Sequence, residues 1–308
     1  MAAPVAERQD TSRLRLGLAA ALVSGMFLAV QQRLNGGLQE AVGDAVLVAT
    51  VSFAAGLVLA LAVLAVRRRS RLALPLLRTL PGWWLLGGLS GAVLVTIGAS
   101  AAPQVGVALL TVGLVGGQTV GGVLVDGVGL GPGGRRPLTA YRAVGAALCL
   151  SAIVFSTRGQ SAHPKSSLLL LVVVAGLLGA VQLAVNGRVG RTTGDVTVTV
   201  LQSYAVGTLA LLAGLAGRAA LTGVRVGHWP DQWWLYLGGP LGVLFVGIAA
   251  VVVQQIGVLR LGLVVTAGQL LGALALDATV PEHGHGVALT TVLGAGVTLL
   301  AVVVSGRS

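Results

Sequence analysis

Two pairs of side-chain amides recur in this 308-residue chain, Gln31 with Asn35 and Gln182 with Asn186, each pair four residues apart. On a helix that spacing puts both amides on one face, stacked a turn apart, and each offers a carbonyl acceptor and an NH2 donor. In apolar surroundings such a face either lines a polar cavity or hydrogen-bonds to a neighbouring helix, and the spacing serves both uses equally. Gln118 and Gln269 are further amides deep within apolar runs and are the best placed to touch a substrate. Ser52, Ser203 and Tyr204 are secondary pathway candidates, although a serine in a helix more often bonds its own helix's carbonyl. Asp126 and Asp277 stand at the ends of apolar runs, where they could gate a pathway or simply be solvated. No carboxylate falls near the middle of an apolar run, so the group that would bind a cation or carry a proton there is missing. Arg142 and Arg260 lie near run ends, from which a long side chain snorkels to the headgroups; Arg260 could also meet an anionic group.

Other chemistries lack their residues. Glu282, His283 and His285 cluster in a glycine-rich segment but have no third firm ligand, so no metal site is expected. Cys149 is the single cysteine and can form neither an internal disulfide nor a metal cage. There is no phosphate-cradling GxxxxGK[ST] segment and no Ser, His and Asp constellation. The expectation is a protein without a cofactor that is not an enzyme.

The elements that position the amides are set by composition. Hydrophobic residues make up 55% of the chain and charged residues 9%, too few to clothe a soluble globule of this size. The net charge of +11 sits in short clusters between apolar runs without aromatic platforms, which argues against nucleic acid and for loops at a membrane surface. Apolar windows of about twenty residues, enough to cross roughly 30 Å of hydrocarbon, fit ten times. Their limits are 14–34, 45–66, 83–102, 104–126, 138–157, 167–187, 196–217, 233–253, 255–277 and 287–305. Only a break near Pro103 separates the third and fourth windows, and only Gln254 and Gln255 separate the eighth and ninth. Alternation with period two, which a strand barrel needs, is missing.

Basic residues orient the spans. With the N-terminus inside, thirteen fall on the cytoplasmic side, among them Arg67, Arg68, Arg69, Arg71, Arg78, Arg135, Arg188 and Arg191. Five fall outside, namely Arg33, Arg158, Lys165, Arg218 and Arg225, so both termini are expected in the cytoplasm. The first span follows Arg8, Arg13 and Arg15 without a convincing cleavage site and is expected to remain uncleaved. Trp83 and Trp84, and Trp229, Trp233 and Trp234, read as interfacial anchors on opposite sides.

Sliding the chain against itself by 151 residues, without a gap, reveals a duplication. Gln31 falls on Gln182, Asn35 on Asn186, Gly43-Asp44 on Gly194-Asp195, Ser52 on Ser203, Gln118 on Gln269, and Asp126 on Asp277. Asn35 and Asn186 are the only asparagines in the chain, which makes chance a poor explanation. The expected fold is therefore an all-α integral membrane protein of ten transmembrane helices in two five-helix repeats. A cytoplasmic segment (1–13) precedes the first repeat (14–157), and a loop (158–166) precedes the second (167–308). An odd number of spans per unit makes the repeats inverted, the arrangement of many carriers that work by alternating access.

The segments Ala29-Val30-Gln31-Gln32-Arg33-Leu34-Asn35-Gly36 and Ala180-Val181-Gln182-Leu183-Ala184-Val185-Asn186-Gly187-Arg188 resemble the first-helix signature of the YdcZ-like inner-membrane exporters, a branch of the drug/metabolite transporter superfamily. The resemblance extends to Gly117-Gln118, Gly121, Asp126 and Arg135-Arg136-Pro137-Leu138, and to Gly268-Gln269-Leu270-Leu271-Gly272 with Asp277. It departs after Asp277, where Pro281, Glu282, His283, Gly284 and His285 replace the basic segment. It implies ten helices around a central cavity, and outward transport. The expectation is a secondary transporter of a small neutral or zwitterionic metabolite or drug across the cytoplasmic membrane. Its partners would be the small-molecule substrate and membrane lipid, with a homodimer left open. A non-transporting scaffold and a lipid flippase are the alternatives.

Overall fold

Backbone amides find no partner in hydrocarbon, so apolar runs of this length must close their hydrogen bonds internally. The computed structural model describes residues 3–131, 134–135, 139–157, 166–223, 227–256, 258–279 and 289–305, and helices dominate them. The first unit comprises α1 (Ala3–Val42), α2 (Ala45–Val66), the short α3 (Arg68–Ala73), α4 (Gly87–Val128) and α5 (Ala140–Thr157). The second comprises α6 (Ser166–Thr193), α7 (Val196–Thr222), α8 (Gly238–Ile256), α9 (Val258–Thr279) and α10 (Leu289–Ser305). Short 3-10 turns, Gly82–Leu86 and Trp233–Leu237, lead into α4 and α8.

Five stretches among the described residues are long and apolar enough to cross a membrane: Arg15–Val42, Ala45–Val66, Gly82–Val128, Ser166–Thr193 and Val196–Leu221. Ala143–Ala152, Trp233–Ala249, Val264–Thr279 and Val292–Ala301 are shorter apolar helices. The 17 residues of α10 reach about 25 Å at 1.5 Å per residue, near the lower limit for a span. The third and fourth sequence windows merge in α4, which is broken at Gly106. There φ is 75° and ψ is 158°, a conformation essentially confined to glycine, and Pro103 withholds an amide just before it. The break divides α4 into an N-terminal and a C-terminal arm.

Helix ends follow local chemistry, and the two units share it. At the end of α1, Gly43 has φ 77° and its N–H donates to Gln39 O at 2.7 Å. Asp44 then caps α2 by accepting from Leu47 N at 3.0 Å. In the second unit Gly194 has φ 61°, and Asp195 caps α7 by accepting from Val198 N at 3.1 Å. The shift of 151 residues carries the end of α1 onto the end of α6, the start of α4 onto the start of α8, and the end of α4 onto the end of α9. One boundary departs from the sequence expectation. α1 continues to Val42, well past residue 34, so Arg33 lies within a helix and not in a loop.

Packing has the same twofold pattern. α1 lies along α8 and α9 while α6 lies along α4, α2 packs against α7, and α5 packs against α10. Phe53 and Tyr204 are equivalent positions, and their ring centroids are 5.0 Å apart. A residue can touch its own equivalent only near the axis relating the units.

The contacts also sort the helix ends. At the α1–α2 turn, Val42 O and Ala41 O accept from Gly227 N and His228 N, and Arg218 near the end of α7 pairs with Asp44. At the α6–α7 turn, Ser70 Oγ after α2 donates to Asp195 Oδ2 at 2.9 Å, and Arg67 Nη1 donates to Thr197 Oγ1 at 3.3 Å. These are the first and second ends of the molecule, and the equivalent turns of the two units lie one at each.

Candidate functional site

Gln31 and Asn35 share a buried face of α1, and that face meets the first turns of α8. Glycines make the approach possible. A Cβ at Gly238 would collide with Asn35 Oδ1, and one at Gly242 would collide with Tyr204 Oη and stand 3.0 Å from Gln31 Nε2. A Cβ at Gly239 would strike the Ser52 carbonyl, and Tyr204 Oη donates to Gly239 O at 3.4 Å. The second unit repeats the arrangement on the first turns of α4. A Cβ at Gly87 would lie 2.7 Å from Asn186 Oδ1, one at Gly91 would collide with the Gln182 amide, and one at Gly88 would collide with the Ser203 carbonyl. Each unit's amide pair is thus seated on the other unit. Sequence reasoning missed these seats, although the register of Gly87-Gly88 and Gly91 with Gly238-Gly239 and Gly242 was a signal for them.

The two seats are alike in composition and unlike in bonding. Asn186 Nδ2 donates to Ser203 Oγ at 3.2 Å, leaving Asn186 Oδ1 without a partner. In the first unit that bond is not made: Asn35 is 1% exposed, and its Oδ1, its Nδ2 and the Ser52 Oγ are all buried without a hydrogen-bond partner. A buried polar group left unpaired costs about 1–3 kcal/mol. The first seat therefore holds chemistry that this conformation does not satisfy.

Gln118 and Gln269 stand apart from the seats. Gln118 is half-buried against α6, where a Cβ at Gly179 would be 3.1 Å from its Nε2, one turn before Gln182. Gln269 is buried on α9, with its backbone N 2.8 Å from a Cβ built at Gly25 of α1. Gly117 and Gly268 let α4 and α9 rest on the carbonyls of Val173 and Leu22, so the small-residue stripe packs helices.

Asp277 is not a solvated helix-end charge. It is 7% exposed, and its carboxylate accepts from Val107 N at 3.1 Å and Ala108 N at 2.7 Å. Those amides begin the C-terminal arm of α4, so the last turns of α9 cap the break in α4 at the first end. Asp126, the repeat equivalent of Asp277, stands near the end of α4 with its Oδ1 3.6 Å from a Cβ built at Gly131. The Glu282, His283 and His285 cluster and the side chains of Arg142 and Arg260 lie outside the described residues.

A cavity of about 230 Å³ opens at the second end, lined by Trp84, Gly131, Gly134, Arg188, Arg191 and Thr192. The Arg188 guanidinium lies 5.7 Å from the Trp83 ring and 5.4 Å from the Trp84 ring, and its Nη2 donates to Gly129 O. Sequence analysis assigned Arg188 and Arg191 to a loop, whereas both lie in the last turns of α6.

Comparison with known proteins bears on this architecture. A family model described as "Putative inner membrane exporter, YdcZ" matches the chain twice, over residues 16–155 and 167–304. Inner membrane protein YdcZ of Escherichia coli (strain K12) is 28% identical over 140 residues, which are 45% of this chain and 92% of that protein. A solved crystal structure 20% identical in sequence shares the fold with a TM-score of 0.59, over 95% of this chain and 96% of its own. Apolar helices in two matched units, and a match that spans nearly all of the chain, have one conclusion: this multi-pass inner-membrane protein belongs to the YdcZ exporter family, a family of membrane transporters and not of enzymes.

Proposed function

We propose that the chain is an alternating-access carrier of ten spans, built as two inverted five-helix units, that moves a small neutral or zwitterionic molecule out of the cell. The unequal bonding of the two seats carries this reading. Asn186 and Ser203 are joined while Asn35 and Ser52, in the same setting, are not. Two like units held in different states can exchange those states, and the exchange would open the molecule to one side and then the other. The placement of equivalent turns at opposite ends supports the inversion.

The second end is the cytoplasmic one in this reading, because Arg67, Arg68, Arg69, Arg71, Arg78, Arg135, Arg188 and Arg191 gather there, against Arg218 at the first end. The Asp277 cap across the break in α4 then serves as the outer gate, and Asp126 is its inner counterpart. Amides are the polar groups offered to a substrate along this route, and they suit a cargo that is neutral or carries both charges. The family description supports outward movement.

The test compares small molecules outside cells that have or lack the gene. A class of neutral or zwitterionic compounds should be depleted outside the deletion strain, restored by the wild-type chain and not restored by a Gln118→Leu, Gln269→Leu chain. An unchanged extracellular profile, with no counterflow in reconstituted vesicles loaded with those compounds, would remove the carrier reading in favour of a scaffold.

A further inference from the structure

We infer that the cavity at the second end is an anion site for a phosphate-class oxyanion, the chemistry of an anionic phospholipid headgroup. The inference is independent of the transport reading. Among the described residues its lining carries two guanidinium groups and no carboxylate, with Asp126 beside it, its Oδ1 3.6 Å from a Cβ built at Gly131. Arg188 does not wave in solvent. The two indole faces and the Gly129 carbonyl fix its plane, which leaves its other N–H groups in a set direction, as planar recognition of an oxyanion requires. Trp84 stands in the same wall and gives the site its ring, while its indole Nε1 is sealed away from the cavity.

The duplicated fold does not demand this arrangement. In the 151-residue register Arg188 and Arg191 correspond to Gly37 and Glu40, and a Cβ built at Gly37 would lie 3.2 Å from Leu235 Cδ2. The basic pocket is thus an addition of the second unit. Its volume of about 230 Å³ is enough for a headgroup phosphate. Trp83 beside it is 45% exposed and Leu86 is exposed, as interfacial anchor residues are. Basic pockets between spanning helices at a face rich in arginine are where anionic headgroups bind.

The full-length chain in a neutral detergent, followed by thermal unfolding, tests the site with three probes: dioleoyl phosphatidylglycerol, dioleoyl phosphatidylcholine and inorganic phosphate. Phosphatidylglycerol should raise the midpoint of the wild-type chain and phosphatidylcholine should not, with the rise lost in Arg188→Gln. Arg191→Gln removes the second guanidinium of the lining and leaves Arg188 in place. It should raise the phosphatidylglycerol concentration needed for half the effect by roughly tenfold, the worth of one hydrogen bond to a charged group. It also serves as the reporter should Arg188→Gln fail to fold. A rise with inorganic phosphate as well assigns the site to free anions too, and a rise with the lipid alone assigns it to headgroups. Equal stabilisation of the wild-type and Arg191→Gln chains, or no stabilisation of the wild type by either anion, overturns the inference.

Discussion

Asn35 and Asn186 occupy equivalent seats, yet only Asn186 has made its hydrogen bond, to Ser203. Their substitutions should therefore differ. Asn186→Ala removes that bond and strands the Ser203 hydroxyl, so it should cost about 1–2 kcal/mol in unfolding measured in detergent. Asn35→Ala deletes two buried atoms that are bonded to nothing and should be close to neutral. Equal losses at the two positions would contradict the asymmetry. Gly238→Ala would drive a methyl group into Asn35 Oδ1 and should destabilise by about 1–3 kcal/mol, as overpacking generally does. Gln118→Leu and Gln269→Leu should leave membrane insertion intact and lower efflux. Unchanged flux in both would take these glutamines out of the pathway.

At the scale of elements the break in α4 is the most exposed to test. Gly106→Ala must hold a side chain at φ 75°, ψ 158°, and should cost about 1–3 kcal/mol, read as a lower unfolding midpoint. The cap across that break, from Asp277 to Val107 N and Ala108 N, uses both carboxylate oxygens. Element boundaries were legible where the backbone chemistry is local. The windows beginning at 45 and 196 match the starts of α2 and α7, each just after a Gly-Asp pair whose aspartate caps the new helix. The end of α1 was placed at 34 because the apolar window closes at Arg33 and the polar Asn35-Gly36-Gly37 segment. Other elements resolve that ambiguity: Gly36 lies beneath Ala102 and Pro103, and Gly37 beneath Leu235, so the glycines serve packing and the helix continues. The short α10 and the break within α4 show why windows of apolar residues alone do not fix the number of full spans.

For the whole molecule, the duplication was readable because the ungapped 151-residue register survives in residue identities, and helix ends and helix pairings keep it. Of the amide seats only the repeated glycines, Gly87-Gly88 and Gly91 with Gly238-Gly239 and Gly242, were readable, and not the helix they would meet. Which helix lies opposite Gln31 and Asn35 depends on how the two units interleave, and nothing within either unit encodes it. The pocket around Arg188 was hidden for the same reason, since Trp84, Gly131 and Arg188 come from three separate elements. The central claim is that these units exchange states so that one end opens as the other closes. Pulsed distance measurements between spin labels test it, in lipid nanodiscs and in a chain whose buried Cys149 is replaced by Ala. One labelled pair, Gln104→Cys with Thr279→Cys, spans the Asp277 cap at the first end; the other, Leu72→Cys with Val128→Cys, spans the second. All four positions are exposed. Weakening the cap with Asp277→Asn should enlarge the long-distance population at the first end and shrink it at the second; single, unmoved distributions at both ends in both chains would contradict the account.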